Sequence, residues 1–564
     1  MEEKESYIRQ SSLRSHSRLS FFTDGDPRWK HQLPANPGCL DYVLFPFRSF
    51  MAWLRLLADN YSPKFLVMLL LGEHLLKGFV GGGGGGGMLV SEKVMYRGRA
   101  SLQTQQAYFS VTGLAWALKP LFSIITDGSA MFGYRRAPWI VITAALSTGA
   151  ILMLLMLPLP PIALCIAFLI IKVNISCTDI ILEGQWTEKL AAAPEYAPDL
   201  MSFVYMGMSL CSIFGVLVAG PGLDKFGENI LWVCIPIPAM CALGALCGLT
   251  TEKRAEEPCG LQTECIYKYR HFFLCGVMAA VCVLGTAALN LLPVLGQELQ
   301  FVLSMLLATL MCVSYMWLLP ASIWKPCLYL FISNVLSLDY SSVTYSFYLD
   351  DAQGMQRQKC PDFCPHFQAW FFVTVIQIID AGFALLGSWL FKRTMSGWTY
   401  RRVMGVSQVL VMVASASDAI QFSRVNKLLG IPDEVFLMGK SATISTCFMM
   451  NFMPMMILIS QVCPEGVETL TFALMAGITN FGSAVSGLVS AHLMQYMGLE
   501  NTDAMESWNF DNAWILALMG SFLPAISLCL LPFAIPDKRM TDPIRETAES
   551  EQTELLKGKA MDSA

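Results

Sequence analysis

Charge is scarce along this chain: 14% of its 564 residues are Asp, Glu, Lys or Arg, whereas soluble globular domains carry about 25%. That shortage excludes an ordinary soluble fold. Histidine is scarcer still, with six residues, and no zinc-protease helix can be built from them. A phosphate-binding loop and a nucleophile elbow are also missing, so nothing points to an ATPase or hydrolase; the expectation is no enzyme and no cofactor. The net charge is only −5, without the positive balance of a nucleic-acid binder. The 18 cysteines lie mostly inside apolar runs, where a thiol behaves as a small hydrophobe, and do not form a disulfide scaffold. Cys360 and Cys364, in Cys-Pro-Asp-Phe-Cys-Pro, leave a disulfide open, but two cysteines alone are thin ground for a metal site. The acidic start Met1-Glu-Glu-Lys-Glu is no signal peptide, so membrane insertion is expected to use an internal span.

What the chain has is apolar sequence, 54% of it, with 33 Met, 34 Phe and 42 Gly, a composition suited to helices packed closely in lipid. A spanning helix needs about 20 predominantly apolar residues. That rule places six spans near 65–90, 103–126, 138–157, 160–185, 199–222 and 230–250. Two more follow near 270–292 and 299–319, then six near 326–349, 367–391, 402–423, 435–460, 465–496 and 512–535. The expected fold is an all-α polytopic membrane protein with fourteen spans. Its divisions are a cytosolic tail with a juxtamembrane amphipathic segment (1–63), a six-helix half (64–250), a linker with an additional transmembrane hairpin (251–325), a second six-helix half (326–536) and a second tail (537–564). Gly133-Tyr-Arg-Arg136 and Thr399-Tyr-Arg-Arg402 sit at the same place in the two sixes, 266 residues apart, as parallel halves of a transporter would.

Basic residues in short loops resist translocation. Arg135, Arg136, Lys253, Arg254, Lys392, Arg393, Arg401 and Arg402 fall in loops on one side, together with both termini, so both termini are expected in the cytosol. Residues 1 to about 40 are polar and Ser-rich and are expected to be a disordered tail. Residues 41–60 combine Phe47, Phe50 and Trp53 with Arg48 and Arg55, as a segment lying along the headgroups would. The dileucine-like Glu551-Gln-Thr-Glu-Leu-Leu556 is too short to weigh.

Ionisable groups inside spans cost about 2.5–3.5 kcal/mol each on insertion scales, so each is a functional candidate. Lys172, Asp179 and Glu183 stand seven and four residues apart, on one helical face of a span that also carries Asn174, a candidate substrate contact. That face is expected to line a cavity, with Lys172 as an anion contact and Asp179 and Glu183 as proton carriers; an internal salt-bridge ladder is the other reading. Glu73 and Lys77 are spaced for either a self-neutralising pair or substrate contact. The glycines 81–87 that follow argue either for a broken, closely packed segment or for a low-complexity expansion. Lys119 precedes Pro120, a kink site; it is a candidate substrate contact, for a carboxylate of the cargo, or else a partner for Asp127 about two turns on. In the second half Asp339 and Tyr345 are candidate substrate contacts and Asp380 a proton carrier; Asp418 and Lys440 are also embedded. Asp127 with Arg135 and Arg136, and Arg401 with Arg402, are expected to form latches at the elbows.

Several of these stretches resemble the folate-biopterin transporters of the major facilitator superfamily. Lys119-Pro120, Thr126-Asp127 and Gly133-Tyr-Arg-Arg136 are similar to the family's signature hairpin. Gly72-Glu-His-Leu-Leu-Lys-Gly-Phe-Val80 is similar to the first span of its protozoan members, and Asn451-Phe-Met-Pro454 and Cys463-Pro-Glu-Gly-Val-Glu468 are similar to its late motif. The resemblance covers roughly 64–536 and implies the major facilitator fold, two six-helix halves forming a pseudo-repeat plus an extra central helix pair. It also implies transport of folates or pterins by alternating access. Proton symport is expected from the carboxylates and the lack of a nucleotide site. The implied partners are a small-molecule substrate such as folate or biopterin, protons and the lipid bilayer, with the plasma membrane the first choice and an organellar membrane the second. Transport of S-adenosylmethionine or another organic anion, and a non-transporting nutrient receptor, are the alternatives.

Overall fold

The computed structural model describes residues 39–540, apart from 83–86, 193–195, 253, 255–258, 262, 293–294, 351–354, 464–467 and 503. The tail serines, the dileucine stretch, four of the glycines and part of the late motif therefore lie outside the described residues.

Long apolar runs become helices because only a helix satisfies its own backbone in lipid. Among the described residues, twelve helices are long and apolar enough to cross a membrane. One of them, Asp199–Leu246, spans 48 residues, about 72 Å if straight, more than twice the roughly 30 Å of a hydrocarbon core. Gly227, with φ of 54°, divides it after Ala197–Phe226. The helical stretch 63–80 is not among the twelve because Lys64, Glu73 and Lys77 interrupt its apolar run. Prolines open several helices, at Pro138, Pro161 and Pro198, where the missing N–H is no loss.

The first span differs from expectation. Its helix stops at Val80, ten residues short, and the stretch Leu70–Val80 is π-helical. Gly82 then adopts φ of 73°, and a Cβ on Gly87 would lie 2.5 Å from the Gly82 nitrogen. The chain turns back on itself here, and the helix ends where the glycine run begins. After the turn, Met88–Val90 and Ser91–Met95 form short helical pieces. The span expected near 326–349 is also broken, into Ala321–Leu336 and Ser341–Tyr348. The segment expected to be amphipathic forms one helix, Cys39–Tyr61, which packs on the start of the first span.

Two seams join the first and second halves of the chain. Glu468–Tyr496 lies along Leu102–Ala117 and Lys119–Gly128, so closely that a Cβ on Gly477 would meet the Pro120 ring at 2.8 Å and one on Gly487 would meet Ser110 Oγ. Ala197–Phe226 lies against Trp370–Val375, where the Thr374 hydroxyl donates to the Val216 carbonyl at 2.5 Å. The extra pair, Arg270–Leu291 and Gln297–Leu318, packs outside the first seam. Its first helix is 56% buried and its second 28%, so the second is the peripheral one. Strand among the described residues is limited to one antiparallel pair of two-residue strands, Ser129–Ala130 with Gly260–Leu261, beside isolated single bridges.

Candidate functional site

Between the seams lies a cavity of 2590 Å³, larger than the roughly 300–1,000 Å³ of a small-molecule pocket and so closer to a vestibule. It is lined by helices of both halves. At one end the lining includes the exposed Phe50, Trp389 and Phe448 with Lys392 and Arg393. At the other, the two halves close over it. There Arg97 donates to the Leu349 carbonyl, Gly98 bridges to Thr502, and the Asp224 carboxylate accepts from the backbone N–H groups of Ala369 at 2.9 Å and Trp370 at 2.8 Å.

A cluster of five charged side chains from three helices stands on the cavity wall. Asp179 is fully buried and bridges two ammonium groups, Lys77 Nζ at 2.5 Å and Lys119 Nζ at 2.7 Å. Glu183, one turn on, lies 3.0 Å from Lys119 and 3.9 Å from Lys77. Glu73 lies 3.3 Å from Lys77, and neither of its buried oxygens has a hydrogen-bond donor. Three carboxylates thus meet two cations, so one negative charge is left over unless a proton is bound. Lys77, Lys119 and Glu183 face the cavity, with Glu73 and Asp179 behind them. The π-helical turn supports this arrangement by widening the first span where Glu73 and Lys77 sit, a distortion frequent at functional sites. His74 beside them packs on Phe203, ring centroids 4.7 Å apart.

The remaining expected residues are distributed differently. Lys172 lines the cavity but belongs to a second group: its Nζ is 2.6 Å from Glu92 and donates to Thr112 Oγ1 at 2.8 Å, and Thr112 donates to Glu92 at 2.6 Å. Asn174 is buried away from the cavity lining, its amide oxygen accepting from Thr143 at 3.1 Å. Tyr345 lines the cavity, edge-on to Phe372. Asp339 is turned into its own bend, accepting from Ser341 N at 3.0 Å and Ser341 Oγ at 2.5 Å. Asp380 accepts from Ser441 and Ser445 at 2.7 and 2.6 Å. Lys440, paired with Asp418 at 2.6 Å and bonded to Tyr348 OH at 3.0 Å, forms a separate polar centre in the second half.

At the elbows the side chains of Arg136, Arg401 and Arg402 meet partners within their own halves. Arg136 meets Glu188 at 2.5 Å, and the backbone N–H groups of Arg135, Arg136 and Ala137 donate to Glu252, an anion well placed at a helix N-terminus. Arg401 donates to the Ile535 carbonyl at 2.7 Å and approaches Asp537 at 4.0 Å, while Arg402 lies over the Trp398 ring. The Asp127 side chain lies outside the described residues.

Sequence reasoning overlooked Glu92, Lys93, Trp116 and Asn480, which line the cavity. The Lys93 ammonium lies 3.6 Å from the centre of the Phe109 ring, and burial pushes it down to about 8.

A model of the BT1 family matches residues 88–555. The chain belongs to the BT1 family. Relatives of this BT1 member include the probable folate-biopterin transporter 6 of Arabidopsis thaliana, 22% identical over 87% of this chain and 86% of that one. The folate-biopterin transporter of Synechocystis is 27% identical over 29% of this chain and 33% of its own. Folate transporter 2 of Plasmodium falciparum is 23% identical over 30% of this chain and 35% of its own. Among solved structures, an auto-inhibited POT family peptide transporter superposes with a TM-score of 0.60 at 12% identity, covering 86% of this chain and 99% of that one. The nucleoside transporter NupG does so at 0.51 and 13%, covering 82% and 98%. The fold of this BT1 protein is therefore the all-helical major facilitator type, in an integral multi-pass membrane protein.

Proposed function

We propose that this chain moves a folate or pterin across a membrane by alternating access, with protons as the coupling ion. The observation that carries the reading is the Lys77, Lys119, Glu73, Asp179 and Glu183 cluster, an odd number of charges on the wall of a cavity closed at one end. Taking up one proton neutralises the cluster, and losing it restores a net negative charge beside the cargo. Ionisable groups grouped in this way inside spans are the usual elements of proton relays. The relatives named as folate-biopterin transporters support the substrate class.

In this reading the stretch 63–80 is a span and Asp199–Leu246 crosses twice, which makes fourteen passes in two sixes with the extra pair between them. The loops carrying Arg135, Arg136, Arg401 and Arg402 face the cytosol, as do both termini. The cavity then opens to the cytosol, and the contacts of Arg97 and Asp224 close it on the far side. Arg136, Arg401 and Arg402, bound within their own halves, brace each half as a rigid body.

Uptake of labelled folate, biopterin and S-adenosylmethionine into cells expressing the chain, with and without an imposed proton gradient, tests this. Saturable uptake of folate or biopterin that collapses without the gradient is the expected result. Uptake of S-adenosylmethionine alone would replace the substrate, and no uptake despite membrane delivery would overturn the transport reading.

A further inference from the structure

Four lysines line the inner part of the cavity, and three of them are matched by carboxylates. Lys77 and Lys119 share Glu73, Asp179 and Glu183, and Lys172 is matched by Glu92. Lys93 is the exception: no carboxylate among the described residues is in ion-pair contact with it. Its neighbour Glu92 is committed to Lys172, and Asp339 acts on it only from beyond ion-pair range, with one oxygen already held by Ser341. The contact that Lys93 does make is with the face of Phe109, which stabilises a cation without neutralising it.

We infer that Lys93 is the anchor for an anionic group of the cargo, a carboxylate such as those on a folate's glutamate tail. The inference rests on the transporter reading proposed above. Partial burial makes the unmatched ammonium costly, and a carboxylate arriving from the cavity would offset that cost with a charge-assisted hydrogen bond. A lysine that merely extended to solvent would satisfy itself with water, whereas this one lines the cavity near its closed end. Its location also matters for transport. Ser91–Met95 packs against Ser341–Tyr348 of the second half, so a cargo held by Lys93 would touch both halves where they meet. Trp116 and Tyr345, also in the lining, offer ring faces for a flat heterocycle.

The test is equilibrium binding to the purified full-length chain of three probes: folate, biopterin, which has the pterin ring without a carboxylate, and p-aminobenzoylglutamate, which has the tail without the ring. Lys93→Ala is expected to weaken folate and p-aminobenzoylglutamate by about 10-fold or more, the scale of a lost charge-assisted hydrogen bond, and to leave biopterin within about twofold. Lys93→Arg, which keeps the charge, is expected to retain most folate affinity. Lys93→Gln, near in size, serves if the alanine variant melts early. Folate binding unchanged in Lys93→Ala, or folate and biopterin weakened alike, would overturn the anchor and leave the transporter reading intact. A chain that binds only p-aminobenzoylglutamate, and loses it in Lys93→Ala, would keep the anchor and overturn the folate and pterin assignment. No binding of any probe would overturn both.

Discussion

The Asp179 carboxylate lies 2.7 Å from the Lys119 ammonium, tying the helix Pro161–Ala192 to the segment that begins at Lys119 and Pro120. The same carboxylate holds Lys77 at 2.5 Å, so one side chain joins three helices. Removing one partner of a buried ion pair costs about 3–5 kcal/mol, softened here by the neighbouring Glu73 and Glu183. Asp179→Asn is expected to reduce uptake more than about tenfold while the protein still reaches the membrane, because the variant keeps the shape and loses the shared charge. Uptake normalised to membrane-delivered protein checks this, and wild-type uptake would remove Asp179 from the mechanism.

Lys172 and Glu92 should behave as a unit. Lys172→Ala strands a buried carboxylate with Thr112 as its remaining hydrogen-bond partner, so it should melt early. The double variant Glu92→Gln with Lys172→Gln should recover much of the loss, since contacting residues couple by about 0.5–3 kcal/mol. Melting temperatures of Glu92→Gln, Lys172→Gln and the double variant decide it; additive losses would mean that the pair is not coupled.

Gly477 lies where the halves touch, and the atoms that an added methyl would meet belong to the rigid Pro120 ring. Gly477→Val should cost about 1–3 kcal/mol by overpacking and slow transport. Gly439, which has open space around its Cβ position, is the control, and Gly439→Ala should be neutral or slightly stabilising by up to about 1 kcal/mol of helix propensity. Thermal melting and uptake of both variants give the comparison.

Asp224 caps the start of the helix beginning near Trp370 from across the closed end. A lost cap costs about 0.5–2 kcal/mol, enough to change a two-state population about 2- to 30-fold. Asp224→Ala should therefore open that end more often. Alkylation of a cysteine introduced at Thr502 should speed up by a comparable factor, and an unchanged rate would show that the contact is not part of the closure.

The apolar periodicity made most of the helices legible, because length and hydropathy suffice when the solvent is lipid. The spacing of Asp179 and Glu183 also correctly put both on one face. It did not separate Lys172, seven residues before Asp179, which bends to Glu92 rather than joining the cluster. Its partner lies on the far side of a glycine turn, where helical spacing carries no information. Lys93 was missed for the same reason. A straight helix from Lys77 would carry it about 24 Å away, whereas the turn at Gly82 and Gly87 returns it to the same cavity. At the first elbow, Glu252 and Glu188 reach Arg135 and Arg136 from segments 117 and 52 residues away, pairings that no local pattern encodes.

Cys360 and Cys364 are joined by a disulfide, in the loop beside the closed end of the cavity. Such bonds survive in oxidising compartments and are rare where glutathione keeps thiols reduced. In the orientation proposed above, which puts the sealed end toward the exterior or a lumen, this bond falls on the oxidising side of the membrane, and the open mouth with Lys392 and Arg393 at its rim falls on the reducing side.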